Sequence, residues 1–379
     1  MKILIFMTGF FPGQKFGGPP VSVNNFCSLM AEHECYIVTR NHDLGEKNVY
    51  SNIHEGWNDR DNCKVIYLSD EEYKKRSYKS FEKVIKELSP NLIYLQGLFQ
   101  DCVLPCLALA KKYHISVLLA PRGELCSGAF KKKYKKIPYI AFARISGLLK
   151  GISYQSTSEE ETEAIKKFLG VKAERIWYLT NIPSIPRKDY HYTKKEVGAA
   201  RFIYLSRIVP KKNLAYALEM LKNVKGQIEF DIYGSNEDAS YWDECKLLIS
   251  SLPGTIIVTY KGNITHDEVQ PTFANYDALL FPTKSENFGH AIVEALSVGC
   301  PAVISDQTPW IDLEEYSAGW AIPLNKKDKY EEAIQRIVDN DEIEQEKMRN
   351  GAKYYFSMKM EINIMHQKYK EALEGSIKY

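Results

Sequence analysis

Residues 281–310 read FPTKSENFGHAIVEALSVGCPAVISDQTPW, and this stretch decides the fold. An apolar strand over residues 276–281 runs into a polar turn, and a helix begins near Gly289 with Asn287 as its predicted N-cap. The first turn of such a helix offers unpaired backbone N–H groups and the positive end of a dipole, which together can bind phosphate. Glu286 precedes the helix and Glu294 lies in its second turn. Two carboxylates placed this way can accept hydrogen bonds from hydroxyls that flank a diphosphate, as in a nucleotide sugar, although two glutamates at this spacing also occur by chance.

A second stretch upstream, RFIYLSRIVPKKN at residues 201–213, supplies cations. A hydrophobic strand over residues 202–205 ends at Ser206, and a helix is predicted from Asn213. Arg207 and Lys212 therefore follow the carboxyl end of a strand, where open α/β sheets bind their ligands. Arginine as a bidentate donor and lysine as a point charge can together neutralise a pyrophosphate. The alternative is that both are solvated loop charges, as most arginines and lysines are.

The whole chain alternates strands with helices, which is typical of parallel α/β sheets. At 379 residues it is long enough for two domains. The Pro-rich segment TNIPSIPR at residues 180–187 is the best linker candidate. We predict two doubly wound, Rossmann-like domains that face each other across a cleft. The predicted strands cover residues 3–7, 35–39, 65–68, 92–95, 117–120, 152–155, 202–205, 228–233, 256–260, 278–281 and 302–305.

These motifs together resemble the family 4 retaining glycosyltransferases of the GT-B fold. That family carries an R-x4-K pair followed by an E-x7-E element, and the pairs Arg207/Lys212 and Glu286/Glu294 match them. The resemblance extends over nearly the whole chain. Further matching stretches are MKILIFMTGFF at residues 1–11, the Gly-Gly-Pro run at 17–19, APRGEL at 120–125, YQSTSEEE at 154–161 and TNIP at 180–183. The run SDQTPW at residues 305–310 is typical of a bacterial surface-polysaccharide subgroup.

The resemblance implies an organisation and an activity. Residues 1–183 would form an N-terminal acceptor-binding domain, residues 184–355 a C-terminal domain that binds the nucleotide sugar, and residues 356–379 a helix that returns to the N-terminal domain. The activity would be that of a retaining, metal-independent hexosyltransferase. It would move a sugar from a nucleotide diphosphate donor, with UDP-sugars favoured, to a saccharide or lipid-linked acceptor in capsule or O-antigen biosynthesis.

The resemblance also implies roles for individual residues. Arg207 and Lys212 would bind the diphosphate and stabilise the charge that grows on it as the glycosidic bond breaks. Glu294 would bind ribose hydroxyls and Glu286 hexose hydroxyls. The other donor-binding positions are Gly17 and Gly18 in the glycine-rich loop, Asn263 and Ile264 near the nucleobase, and Asn287, Phe288, Gly289 and His290 around the phosphate.

One departure from the family concerns the acceptor base. Many relatives carry histidines where this chain has Tyr94 and Gln96, and a further catalytic histidine near Pro121 and Arg122. Glu124 is our substitute candidate for orienting or deprotonating the acceptor. In the front-face mechanism inferred for relatives, the leaving phosphate oxygen itself takes the acceptor proton, so loss of the histidine need not abolish the chemistry.

Charge is unevenly distributed along the chain. Residues 1–185 hold 26 Lys and Arg against 19 Asp and Glu, which leaves 24 against 29 in the remainder of the totals of 50 and 48. The excess is greatest around the five lysines between Lys131 and Lys136 in the sequence FKKKYKKIPY. This cluster predicts either a solvated helix face or peripheral contact with anionic lipid. Nucleic-acid binding is not indicated, because the net charge is only +2 and no recognised motif accompanies the cluster.

Several classes of protein do not fit the sequence. No run of about 18 apolar residues predicts a membrane-spanning helix, and the apolar N-terminal segment is too short for a signal peptide. The eight cysteines form no C-x-x-C pair, which favours reduced thiols and a cytoplasmic protein. Asp59 and Asp61 match a D-x-D metal element but are predicted to lie in a polar loop, so no metal site is expected.

Two alternative functions stay open. A GT-B nucleotide-sugar 2-epimerase would act without an acceptor and needs acid and base groups that the sequence does not reveal. A non-catalytic subunit that binds nucleotide sugars would keep the fold and lack turnover.

Overall fold

The computed structural model describes residues 1–126, 130, 133–186, 188 and 190–377. The chain forms two compact units. Unit 1 comprises Met1–Ile182 together with Ile362–Tyr379, and unit 2 comprises Pro183–Glu361.

Unit 1 is built on an eight-stranded sheet in which all neighbouring strands are parallel except β3 and β4. The inner strands are apolar almost throughout, as expected where both faces of a parallel sheet are covered. The order is β3-β4-β2-β1-β5-β6-β7-β8. The strands are β1 (Lys2–Phe6), β2 (Glu34–Arg40), β3 (Trp57–Arg60), β4 (Cys63–Leu68), β5 (Leu92–Gln96), β6 (Ser116–Ala120), β7 (Ser153–Ser156) and β8 (Ile176–Tyr178).

Helices cover both faces of this sheet, and each face has its own buried apolar core. Local signals set their ends: Ser158, for example, accepts a hydrogen bond from the backbone N–H of Glu161 and so caps α5. The helices are α1 (Gly18–Leu29), α2 (Ser77–Leu88), α3 (Val103–Tyr113), α4 (Lys133–Ile145) and α5 (Glu159–Leu169).

Unit 2 contains a six-stranded, wholly parallel sheet with the order β11-β10-β9-β12-β13-β14. Its strands are β9 (Ala199–Leu205), β10 (Gln227–Tyr233), β11 (Ile256–Gly262), β12 (Ala278–Phe281), β13 (Ala302–Ser305) and β14 (Gly319–Ile322). Its helices are α6 (Leu214–Leu221), α7 (Ala239–Ser250), α8 (His266–Phe273), α9 (His290–Ser297), α10 (Lys327–Asp339) and α11 (Glu342–Met360).

The C-terminal helix α12 (Ile362–Ile377) belongs to unit 1. Glu361 separates it from α11 by adopting the left-handed conformation, with φ +38°. Met365, Tyr369 and Leu373 of α12 are buried in the same apolar core as strand β1. None of the helices in the described part of the chain is long and apolar enough to cross a bilayer.

All eleven predicted strands are present, with ends shifted by up to three residues. Strands β3, β8 and β14 were not predicted from the sequence. Strand β3 is the polar segment WNDR at the antiparallel edge of its sheet, while β8 and β14 are edge strands of three and four residues. Short edge strands are half-solvated, so they lack the continuous apolar pattern that reveals buried parallel strands.

Candidate functional site

The loops that follow β9 and β12 lie at the same edge of the sheet of unit 2, because the two strands are hydrogen-bonded neighbours. Two contacts join these loops. The Asn213 side-chain amide donates to the carbonyl of Pro282 over 2.9 Å, and the backbone N–H of Lys284 donates to the carbonyl of Lys211, also over 2.9 Å. Asn213 takes the left-handed conformation, with φ +62°, immediately before α6. The loops that carry the predicted cations and the first predicted glutamate are therefore held together by one side-chain-to-backbone and one backbone-to-backbone hydrogen bond.

Lys212 and Glu286 form an ion pair. Their side chains are only 14% and 12% exposed, so both charges are largely removed from water. The Lys212 ammonium also lies 5.6 Å from the centre of the Phe281 ring, and the Thr283 hydroxyl donates to the same Glu286 oxygen over 3.3 Å. The ammonium is thus fixed in position at the carboxyl edge of the sheet, where it can meet an anion without a large loss of side-chain entropy.

Arg207 follows β9 and is more exposed, with 46% of its side chain accessible. Its Nη1 lies 3.1 Å from a carboxylate oxygen of Glu237, a residue that no sequence motif indicated. Salt bridges at such exposure are typically worth about 0–1 kcal/mol. Arg207 is therefore easily re-paired by a ligand with a stronger negative charge.

Helix α9 begins at His290 and its N-cap is Gly289, so the prediction of Asn287 as N-cap is wrong. Gly289 has φ +74°, a left-handed conformation that glycine adopts without a Cβ penalty. A Cβ at this position would also lie 2.9 Å from Cδ1 of Ile292. Asn287 is exposed and lies two residues before the cap. The turn therefore needs glycine for its backbone conformation, which the polar pattern did not reveal.

Trp310 orients the peptide at the start of this helix. Its indole Nε1 donates to the carbonyl of Phe288 over 2.6 Å, and the two rings meet edge to face with centres 5.6 Å apart. The carbonyl and the following N–H of a trans peptide point in opposite directions, so the N–H of Gly289 faces away from Trp310. Within the described residues, the N–H groups of Phe288 and Gly289 have no acceptor. These two donors are available to an anion.

Glu294 lies on α9 and is 4% exposed. The Ser184 hydroxyl donates to its Oε1 over 2.8 Å, and Nδ1 of His266 lies 3.9 Å from the same oxygen. Burial raises the pKa of Glu294 to about 7, and the hydrogen bond from Ser184 opposes that rise. Gln270 holds Ser184 in place by donating to its carbonyl over 3.0 Å. The carboxyl group is thus poised between its neutral and ionised forms near neutral pH.

The loop after β11 carries the predicted nucleobase contacts. Gly262 has φ +75° and its carbonyl accepts from the N–H of Gly234 over 2.8 Å, which joins this loop to the end of β10. Asn263 is exposed and Ile264 is half-buried. Both residues therefore lie at the carboxyl edge of the same sheet as Lys212.

In unit 1, Gly17 is the N-cap of α1 and Gly18 is its first residue. Gly17 has φ +71°, and a Cβ built there meets no atom within 4 Å. Its conformation favours glycine, and the space around it stays open.

The carboxylate of Glu124 is fully engaged within unit 1. Its Oε2 accepts from the backbone N–H groups of Leu98 (2.5 Å) and Phe99 (3.0 Å), and its Oε1 accepts from the Gln100 amide (2.8 Å). Glu124 thereby stabilises the loop after β5, which is a structural role. Its candidacy as acceptor base remains a prediction.

Of the predicted residues, unit 2 brings Lys212 and Glu286 into contact, while Arg207 and Glu294 contact residues that the motifs did not reveal. Ser184 lies in the Pro-rich segment, and Glu237 lies in a polar loop, so neither carries a sequence signal of its own. No group of three or more His, Cys, Asp or Glu residues able to hold a metal ion occurs among the described residues. Asp59 lies in strand β3 and not in a loop as predicted, 3.6 Å from Nζ of Lys64.

Comparison with known proteins is consistent with this geometry. Residues 189–354 match the family model described as glycosyl transferases group 1. The matched stretch lies within unit 2 and contains both loops, the start of α9 and Glu294. A segment of 101 residues, 27% of this chain, is 29% identical to the sulfoquinovosyl transferase SQD2 of Arabidopsis thaliana and spans 18% of that relative's length.

Solved structures with the same fold cover nearly the entire chain. HepE of Anabaena, crystallised with UDP-glucose, is 15% identical with a TM-score of 0.69 and covers 99% of both chains. The sucrose-phosphate synthase of Thermosynechococcus elongatus is 14% identical with a TM-score of 0.67, over 98% of this chain and 99% of that one. WaaG, a glycosyltransferase involved in lipopolysaccharide biosynthesis, is 12% identical with a TM-score of 0.64, over 97% and 98%. The predicted GT-B fold, with two α/β domains on mainly parallel sheets, is confirmed.

Proposed function

We propose that this protein is a retaining, metal-independent glycosyltransferase that moves a hexose-type sugar from a nucleotide diphosphate sugar to a saccharide or lipid-linked acceptor. The observation that carries the proposal is the Lys212–Glu286 pair, fixed at the carboxyl edge of the sheet by the joined loops after β9 and β12. The two unpaired N–H groups before α9 add donors for a phosphate. Bacterial capsule or O-antigen assembly is the proposed setting.

The proposed chemistry follows from these groups. The bond between the anomeric carbon and the phosphate oxygen breaks, and the electrons move onto the diphosphate. Arg207 and Lys212 stabilise that charge, a contribution that is usually among the largest in transfer reactions of this kind. The acceptor hydroxyl attacks from the face that the diphosphate leaves, and its proton passes to the departing phosphate oxygen, which retains the anomeric configuration.

The remaining residues receive binding roles in the proposal. Glu286 accepts from hexose hydroxyls while it holds Lys212, and Glu294 accepts from ribose hydroxyls. Asn263 and Ile264 border the nucleobase, and Asn287, Phe288, Gly289 and His290 surround the phosphate. In unit 1, Gly17 and Gly18 allow the loop before α1 to approach the donor, and Glu124 remains the candidate acceptor base. Unit 1 would bind the acceptor and unit 2 the donor.

A ligand panel tests the donor class. We expect UDP-sugars, and not GDP- or ADP-sugars, to raise the melting temperature, because a ligand at about 100 times its Kd adds about 2.7 kcal/mol to the folded state. The nucleotide preference is supported by HepE, which was crystallised with UDP and with UDP-glucose. Thermal unfolding with each sugar nucleotide measures this, and a larger rise with GDP- or ADP-sugars would contradict the UDP preference.

Two further assays with the same sugar nucleotides separate the alternatives. Conversion of the donor to its 2-epimer without any acceptor would indicate an epimerase. Donor binding by isothermal titration with neither transfer nor slow hydrolysis would indicate a non-catalytic subunit.

We also propose that the protein docks on anionic membranes. The predicted lysine cluster lies partly outside the described residues: nothing is described of Lys131 and Lys132, nor of the side chain of Lys133.

Helix α4 carries an exposed apolar stripe in which Tyr134 is 71%, Ile137 51%, Phe142 57% and Ile145 87% exposed. Lys135 and Arg144 are exposed on the same helix. An apolar stripe bordered by cations fits the interface of an anionic bilayer.

Vesicle binding checks this docking surface. We expect wild-type protein to bind phosphatidylglycerol vesicles and the variant with Ile137→Ser and Ile145→Ser to bind at least about tenfold more weakly, because each apolar side chain buried in the interface contributes roughly 1.5–3 kcal/mol. Leu247→Ser is the matched control, since Leu247 is 73% exposed on α7. Equal partitioning of wild type and the α4 variant in a sedimentation assay would contradict the proposal.

A further inference from the structure

Unit 1 holds an arginine whose charge meets only neutral partners. Arg122 follows β6 and donates from Nε to Oε1 of Gln96 (2.7 Å), from Nη1 to Oδ1 of Asn181 (2.8 Å) and from Nη2 to the Tyr94 hydroxyl (3.5 Å). It forms no ion pair with a carboxylate in the described part of the chain. Arg122 is half-buried, and charged groups that are partly withdrawn from water usually have a charged partner, so this guanidinium is suited to take up an anion.

Two carboxylates lie close to Arg122, Glu124 in sequence and Glu161 through its contact with Gly123, and both are bound to other donors. Glu124 accepts from the backbone of the loop after β5, as described above. Glu161, fully buried, accepts from the N–H of Gly123 over 2.5 Å with one oxygen and from Thr157 over 2.8 Å with the other. Each carboxylate is held by donors other than Arg122.

A second donor lies beside the guanidinium. Arginine can only donate, so the Gln96 atom that faces Nε must be the oxygen, which identifies the other atom as the amide Nε2. Gln96 is 4% exposed, and its buried Nε2 has no hydrogen-bond partner among the described residues. The Tyr94 hydroxyl is close enough to interact with this amide but does not form a hydrogen bond of acceptable geometry with it. Buried side-chain donors are nearly always satisfied, so the amide is available to a further acceptor.

The backbone supports the same conclusion. Arg122 has φ +56°, a left-handed conformation that is uncommon for a non-glycine residue. Gln96 is itself held between fixed groups: it ends β5, and the neighbouring Tyr94 hydroxyl donates to Gln155, whose amide donates to Tyr369 of α12 over 3.0 Å. Non-glycine residues held in such conformations cluster at active sites and ligand-binding positions.

We propose that Arg122 and the Gln96 amide form an oxyanion subsite in unit 1, which takes a phosphoryl or carboxylate group of the acceptor. The guanidinium supplies positive charge and N–H donors, and the Gln96 amide supplies a neutral N–H donor beside it. Assignment of this anion to the acceptor rests on the proposed glycosyl transfer, whereas the subsite itself does not.

Arginine side-chain NMR tests the subsite on the full chain without a donor. With 15N-labelled arginine, we expect the Nε–H resonance of Arg122, identified by its loss in Arg122→Lys, to shift on titration with inorganic phosphate or glucuronate. The first probe represents a phosphoryl group and the second a sugar carboxylate, so the stronger response identifies the chemistry. The Arg207 resonance reports the donor site in the same spectrum. A response of Arg207 alone overturns the subsite and leaves the proposed function standing. A response of Arg122 alone supports the subsite and counts against the proposed function, in which Arg207 binds phosphate.

Gln96→Glu separates binding from structure. A carboxylate at position 96 still accepts from Arg122 Nε, so the fold should keep or raise its melting temperature, but it removes the amide donor and repels an anion. We expect affinity at Arg122 to fall at least tenfold while the Arg207 response is unchanged. Gln367→Glu, on exposed α12 surface, controls for net charge. Undiminished anion affinity in Gln96→Glu would show that the Gln96 amide takes no part in binding and overturn the subsite as proposed.

Discussion

Arg207→Ala and Lys212→Ala should each lower turnover at least about a hundredfold, because each cation is expected to supply roughly 3 kcal/mol of transition-state stabilisation to the departing diphosphate. The measurement is the rate of sugar transfer, or of donor hydrolysis if no acceptor is known, with the donor selected by the thermal panel. We expect kcat to carry most of the loss, since the diphosphate charge is greatest in the transition state.

The two variants should differ in stability. Arg207 is exposed beside Glu237, so its loss leaves no buried charge and the melting temperature should hardly change. Lys212→Ala leaves the Glu286 carboxylate largely buried without its partner, which costs roughly 1–3 kcal/mol. Measuring unfolding beside turnover separates lost catalysis from lost structure.

Lys211→Ala is the matched control for both variants. Lys211 is an exposed neighbour whose described contacts to the loop after β12 are made by its backbone carbonyl. It should keep near wild-type turnover. EDTA should leave the wild-type rate intact if Arg207 and Lys212 neutralise the diphosphate in place of a metal ion. Wild-type rates in both Arg207→Ala and Lys212→Ala would refute the diphosphate assignment. A strict Mn²⁺ requirement would refute the metal-independent mechanism.

The fold was predictable because buried parallel strands are apolar on both faces. Strands such as β12, with the sequence ALLF and every residue buried, are unambiguous. The edge strand β3, with the sequence WNDR, is polar and takes its conformation from pairing with β4, a tertiary contact that no local pattern encodes. A strand whose conformation depends on pairing with another strand cannot be predicted from the local sequence.

The candidate site was predictable where a motif fixes the position of its residues relative to the predicted strands. It was not predictable where a contact is made by a single loop residue. The spacing of Arg207, Lys212 and Glu286 after two predicted strands locates them at one sheet edge. The partner of Glu294, Ser184, is 110 residues away in sequence, and only folding brings the two together. The N-cap was mispredicted for a related reason: Asn287 has the better capping side chain, but the turn needs the positive φ of Gly289.

Glu294→Gln should remove a pH dependence of stability that the wild type shows between pH 4.5 and 7. The pKa of Glu294 is raised from 4.5 to about 7 by burial, so over this range the unfolded chain has lost the proton that the folded chain keeps. The folded state binds more protons, and its stability therefore falls as pH rises and levels off above about 7. From pH 5.5 to 8 the contribution is about 2 kcal/mol. Denaturant unfolding of both proteins at the two pH values measures the difference.

The same carboxyl group should make UDP binding depend on pH in the opposite sense. Ribose hydroxyls donate best to an ionised carboxylate, so binding must release the proton, and affinity for UDP should fall up to about tenfold per pH unit below 7. Among the described residues, His266 is a second titratable group beside this carboxyl, with Nδ1 3.9 Å from the same oxygen, and His266→Gln shows whether it contributes. In Glu294→Gln, UDP should bind more weakly at pH 8 and without this pH dependence. Equal affinity of wild type and Glu294→Gln for UDP at pH 8 would remove Glu294 from the donor site while leaving its effect on stability intact.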